Sequence, residues 1–280
     1  MNKGLTSHGY TIIEVLIVLA VTSALLVSAM ILISGRQAKT EFSQAANDIQ
    51  AQVSDVINNV STGYYASRGN FSCTNNSGVP NPSIGSDELG TKKDCILLGR
   101  AIQFSVSGKP DDYRIYDVVG VRTDASGNQV DTLAKAGPIV LTGAVNTTEA
   151  KQLLYGLQVV KMQYSKNGAK LPIGSVAFLS SLGSYGCQNG LCSGSQTAGL
   201  WPIQNTSLGQ DTATASSAIN SAGAANFVDL AGAPDGSVTV CFQSGGTNQY
   251  AVLTMGSSNR LLSTKIDIYS IGSEPAGTCS

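Results

Sequence analysis

Gly9-Tyr10-Thr11-Ile12-Ile13-Glu14-Val15-Leu16-Ile17-Val18-Leu19-Ala20 opens an apolar run that continues to Ile33, and it decides how this 280-residue chain is read. From Val15 to Ile33 no side chain carries a charge. That matches the ~20 residues a helix needs to cross a bilayer. A secretory signal has an apolar core of only ~7–15 residues and a small-residue cleavage site after it. This core is longer and no such site follows, so the segment is expected to stay with the protein. Residues 1–9 are polar and carry Lys3, a charge that favours retention on the cytoplasmic side. Arg36 and Lys39, just past the span, weaken the charge argument for that orientation.

The cysteines support it independently. All six follow the span, their spacing fits no zinc ribbon or knuckle, and the single histidine, His8, lies outside the folded part. No metal and no other cofactor is expected. Disulfides formed in an oxidising compartment are the better reading. An N-in, C-out topology is therefore expected, with the globular part outside the cytoplasm.

Glu14 is the anomaly. A carboxylate in an apolar helix costs roughly 2.5–3.5 kcal/mol on insertion scales at the bilayer centre. One reading leaves it among the headgroups; the other gives it a cationic partner. At this point Gly9-Tyr10-Thr11-Ile12-Ile13-Glu14 resembles the class III signal of type IV pilins and type II secretion pseudopilins, whose usual pattern has Phe where Tyr10 stands. The resemblance implies that a prepilin peptidase cuts between Gly9 and Tyr10 and N-methylates Tyr10. It also implies that Glu14 pairs with the terminal amine of a neighbouring subunit, and that an inner-membrane assembly platform is a partner. Before assembly the chain would sit in the cytoplasmic membrane; afterwards it would belong to an extracellular pilus or cell-envelope filament.

Beyond the span the helical pattern continues. Phe42, Ala45, Ala46, Ile49, Val53, Val56, Ile57 and Val60 recur at spacings of three and four, which draws one apolar stripe along an otherwise polar helix. Thr62-Gly63 is a plausible stop. Alternating runs then read as strands: 95–106, 113–122, 139–141, 157–164, 176–179, 237–243, 250–255 and 261–269. A short helix is expected between Thr147 and Tyr155. The fold class is α+β, with a long N-terminal helix packed on a mainly antiparallel β-sheet head. The divisions are a leader at 1–9, a transmembrane half at 10–34, an amphipathic half at 35–62, and a head at 63–280. Within the head, about 183–226 is rich in Gly, Ser, Ala and Thr and reads as a surface insertion. Its functional alternative is a contact surface anchored by Tyr185, Leu200, Trp201 and Pro202.

That shape, half protruding and half packed, is also the one the resemblance implies. Many pilins carry Gly or Pro in the protruding half; here Ser23 and Ile31 stand at the corresponding positions, with Gly35 further along.

Six cysteines allow fifteen pairings. Cys187-Gln-Asn-Gly-Leu-Cys192 makes Asn189-Gly190 a two-residue hairpin turn and sets Cys187 opposite Cys192. Cys73–Cys95 would close the turn-rich loop after the helix. Cys241–Cys279 would tie the chain end to a strand, resembling the bond pilins often have near the C-terminus.

Catalysis finds little support. Without His8 no Ser-His or Cys-His arrangement can form, and neither a zinc-protease motif nor a phosphate loop is present. Asp87-Glu88 and Asp111-Asp112 read as solvated turns rather than catalytic pairs. Lys92-Lys93 with Arg100 is too sparse for nucleic acid. The expected role is thus non-enzymatic: a structural, minor pilus subunit by resemblance, with a secretion or DNA-uptake pseudopilin as the near alternative. A signal-anchored extracytoplasmic binding protein is the alternative from another class.

Overall fold

Helix α1 (Ile12–Thr62) has 51 residues and extends about 76 Å at ~1.5 Å per residue. It appears in a computed structural model that describes residues 11–64, 71–85, 94–141, 148–180, 182, 187–188, 191–192, 198–221, 227, 236–258, 261–273 and 278–279. Thr11, extended at φ −77° and ψ 150°, caps the helix by accepting a hydrogen bond from the Glu14 backbone N–H. Gly63 closes it in the left-handed region at φ 66°, where L side chains are strained. The N–H groups of Gly63 and Tyr64 return to the carbonyls of Val60 and Asn59, which satisfies two otherwise orphaned acceptors.

All eight residues of the expected stripe are buried, at 7% exposure or less. What buries them is two sheets rather than one. The first is ordered β12 (Ala198–Ile203), β9 (Ser175–Ser180), β3 (Cys95–Val106), β4 (Lys109–Val121), β5 (Ile139–Val140), with β6 (Glu149–Gln152) also paired to β4. The second runs β15 (Leu261–Ser270), β14 (Gln249–Ser258), β13 (Gly236–Ser244), β7 (Leu157–Lys166), β8 (Ala169–Pro172). Every pairing in both is antiparallel. Phe42 and Ile49 of α1 share one core with Ile102, Phe104 and Phe178 of the first sheet and with Val240, Phe242 and Leu253 of the second.

Alternation along the strands gives the first sheet a second buried face. Ile102 and Ile115 point to the helix, whereas their neighbours Ala101 and Tyr116 enter a separate cluster with Trp201, Ile203 and Phe227. Leu133 and Ala136 of α2 (Leu133–Ala136) complete that cluster, and α3 (Thr212–Ser221) packs beside β5. Asn220 of α3 acts as a substitute strand. Its side-chain amide donates to the Val140 carbonyl at 3.0 Å and accepts from the Val140 N–H at 2.9 Å.

The eight expected strands are present, Cys95–Val106 with the expected ends and the other seven with shifted ones. Two other expectations are corrected. Between Thr147 and Tyr155 the chain forms β6, not a helix, with Glu149–Gln152 in register against β4 from Ile115 back to Asp112. Glu149 and Lys151 turn inward while Ala150 and Gln152 stay exposed, so sheet pairing overrides residues of good helix propensity. The stretch 183–226 is not simply a surface insertion, because it contains β12 and α3. Leu200, Trp201 and Pro202 are buried and offer no outer contact surface; Tyr185 lies outside the described residues. The stretch packs closely against the rest of the head at Gly174, where a Cβ would meet the Ser207 backbone at 2.4 Å.

Two disulfides match the expected pairs. Cys73–Cys95, at 5.9 Å between Cα atoms, joins the β1 (Phe71–Asn76) and β2 (Val79–Ile84) ribbon to the first sheet. Cys241–Cys279, at 5.7 Å, closes the chain end on the outer face of the second. Cys187 and Cys192 are direct partners across the short β10 (Cys187–Gln188) and β11 (Leu191–Cys192) ladder, and none of the described cysteines is free. The Asn189-Gly190 turn itself lies outside the described residues.

Replacing Cys241 and Cys279 together by Ser should lower stability by about 4 kcal/mol, since the bond closes a sequence separation of 38. Denaturant titration of the full chain in detergent measures this, and an unchanged midpoint would contradict it. Gly99 gives a second check. At the irregularity in β3, a Cβ there would sit 2.0 Å from the Phe178 carbonyl oxygen. Gly99→Ala should therefore cost at least ~1–3 kcal/mol, read from the same titration.

Candidate functional site

The features that bear on function lie along α1, which meets two environments. In its first half Thr11 to Ile31, and Ile33 beyond, are all exposed. Fourteen large apolar side chains between Ile12 and Ile33 are each 47–81% exposed. The helix is long and apolar enough to cross a membrane. Two hydroxyls in this apolar half, those of Thr22 and Ser28, are turned back onto the helix, an arrangement that suits a medium without water. Thr22 donates to the Val18 carbonyl at 2.8 Å, and Ser28 donates to that of Ala24 at 2.8 Å.

Glu14 is the one charged side chain from Thr11 to Gly35. The structure places it in the first turn of α1, three residues after the capping Thr11. The unpaired N–H groups and the helix dipole favour a carboxylate there. That position was legible as Thr-x-x-Glu before an apolar run, a second meaning of residues already noted for their resemblance. Gly9, Tyr10 and the leader lie outside the described residues.

The packed half is held by a polar chain that the stripe of apolar residues did not disclose. Gln52 of α1 accepts from the Tyr113 hydroxyl and from the Lys151 ammonium at 3.2 Å. Lys151 lies 3.8 Å from Glu149, which pairs with Arg100 at 3.1 Å; Arg100 in turn pairs with Asp117 at 3.1 Å. Two cations thus face two carboxylates beneath the helix. Burial pushes the Tyr113 phenol well above its ordinary range, with Asp48 and Glu149 adding to the shift, so it remains a neutral donor. At the far side Gln50 donates to the Thr264 carbonyl at 3.3 Å, and Ser54 and Thr264 share a hydroxyl contact of 2.9 Å. Ser180 donates to the Val60 carbonyl at 3.1 Å near the helix end.

These contacts reassign several candidates. Arg100 is 6% exposed and spent on internal carboxylates, so it forms no basic surface; Lys92 and Lys93 lie outside the described residues. Asp111 and Asp112 stand in β4 rather than in a turn, with Gln152 donating to Asp111 at 2.7 Å and Lys109 at 3.8 Å from Asp112. Asp87-Glu88 lies outside the described residues. Among the described residues no group of three or more His, Cys, Asp or Glu side chains is arranged to hold a metal ion.

No family model, curated protein or solved structure matches this chain.

Proposed function

We propose that this chain is a structural, non-enzymatic subunit of a type IV pilus or a related filament. A prepilin peptidase would cut the membrane-anchored precursor between Gly9 and Tyr10, and α1 would carry the product into the polymer. The observation that carries this reading is the division of one unbroken helix. Its apolar first half is uncovered, and its second half is integral to the head's core. A simple tether needs the first feature and gains nothing from the second. The class III-like signal at Gly9 to Glu14 supplies the chemistry: cleavage creates an amine at Tyr10, and Glu14 in the first turn offers it a carboxylate in the next subunit.

The apolar anchor and disulfides support a head that matures outside the cytoplasm. A head with two sheets and a second core favours a minor subunit over the repeating one. Those same features favour the anchored binding protein as a second reading, because such a head can stand without polymer neighbours.

Mass spectrometry of the mature N-terminus should find methylated Tyr10 as the first residue, whereas an intact Met1 in assembled protein would overturn the proposal. Glu14→Ala should leave processed chain in the membrane and reduce its incorporation into sheared filaments by at least about tenfold, on the order of a buried partner left unpaired. Normal incorporation would remove the role given to Glu14.

A further inference from the structure

At the end of the head nearest the apolar half, the β13–β14 turn approaches α1. A Cβ on Gly246 would stand 4.0 Å from the Ala38 Cβ. The turn is braced by the Thr247 N–H on the Ser244 carbonyl at 3.3 Å and by the Ile271 N–H on the Asn248 carbonyl at 3.0 Å. Between turn and helix lies a cleft of about 470 Å³ lined by Lys39, the turn glycines Gly245 and Gly246, Thr247, Gln249 and Ile271. Three features give it a chemistry. Lys39 is exposed, and among the described residues no carboxylate pairs with it. Thr247 holds a buried hydroxyl oxygen without a hydrogen-bond partner, a group able to donate. Ile271, 48% exposed, adds an apolar margin.

Position narrows the ligand. Lys39 follows Ile33, the end of the apolar run, by six residues, which is ~9 Å along a helix. A bilayer of ~30 Å hydrocarbon thickness reaches ~40–45 Å with its headgroups, so when α1 spans it the cleft would open just outside the headgroup layer, from where the Lys39 side chain can reach back to the phosphates. Arg36 lies three residues earlier, next to Lys39 on the helix surface, and adds a second cation. We propose that this cleft seats the phosphate of a membrane phospholipid and holds the head against the bilayer before assembly. Lys39 contacts the phosphate, the Thr247 hydroxyl turns outward to donate to it, and Ile271 packs against the glycerol backbone of the lipid. The inference rests on the reading that the apolar half of α1 spans the membrane.

The test uses the full chain released from phosphatidylglycerol-containing nanodiscs into native mass spectrometry, with retained phospholipid counted. Wild type and Lys39→Arg should each retain one lipid. Lys39→Glu should lower its occupancy at least about fivefold, the scale of one lost cation near a phosphate surface. Thr247→Val should lower it more modestly while preserving shape. Equal retention by Lys39→Glu would overturn the seat, as would capture of inorganic phosphate in place of lipid or a dimer that excludes lipid from the cleft. Carbonate extraction of membranes tests the underlying reading separately. A chain released by carbonate ends the spanning helix, whereas a chain that stays embedded yet holds no Lys39-dependent lipid ends the seat alone.

Discussion

The constraint on which this structure depends is the apolar half of α1, which the rest of the described chain does not cover. Burying a Val, Leu, Ile or Met side chain contributes ~1.5–3 kcal/mol. Fourteen such residues exposed at 47–81% between Ile12 and Ile33 therefore represent on the order of 10–20 kcal/mol. A whole domain is stable by only ~5–15 kcal/mol. An exposure of that size demands a bilayer or neighbouring helices as its solvent. The head cannot meet the demand, because the same helix has already committed its stripe from Phe42 to Val60 to the two sheets.

Within the packed half, apolar burial and polar pairing do different work. The stripe supplies burial but specifies rotation and height along the sheets only loosely, since Ala45, Val53 and Val56 are small and similar. Gln52, Gln50 and Ser54 sharpen the register by meeting Tyr113, Lys151 and Thr264 at fixed heights. Arg100 between Asp117 and Glu149 extends that order into the first sheet. A buried pair of this kind adds little net stability over well-packed apolar residues, yet breaking it on one side is costly. Its effect is to disfavour alternative dockings of the helix.

The sequence made the long helix, its stop at Gly63, eight strands and two of the disulfide pairs legible, because each rests on local periodicity, turn chemistry or cysteine placement. It concealed what depends on distant pairing. β6 has helix-forming residues and becomes a strand only because β4 presents an open edge from Asp112 to Ile115. β12 was hidden by small residues around it, and its continuous burial comes from lying between two cores. That the helix would face two sheets was not legible either, since an apolar stripe states how much must be covered and not by what. For the site, Glu14 stood out as a lone charge in an apolar run. The Gln52 to Asp117 chain carried no local signal, because its members are scattered over four elements and Gln or Arg in an amphipathic pattern reads as solvated surface.

Gly35 lies where the two demands on α1 meet. The helix continues through it without interruption, and a glycine inside a helix costs roughly 0.5–1 kcal/mol relative to alanine. From Ile12 to Thr62 it is the only glycine, and no proline occurs in that range. The weakest backbone position in α1 thus falls between the half that seeks an apolar solvent and the half fixed by the sheets. Bending or fraying there would leave both sets of contacts intact, whereas the same distortion near Gln52 would break the polar chain beneath the helix. The composition of α1 therefore permits the head and the apolar half to reorient about one another at Gly35 while each keeps its own partners.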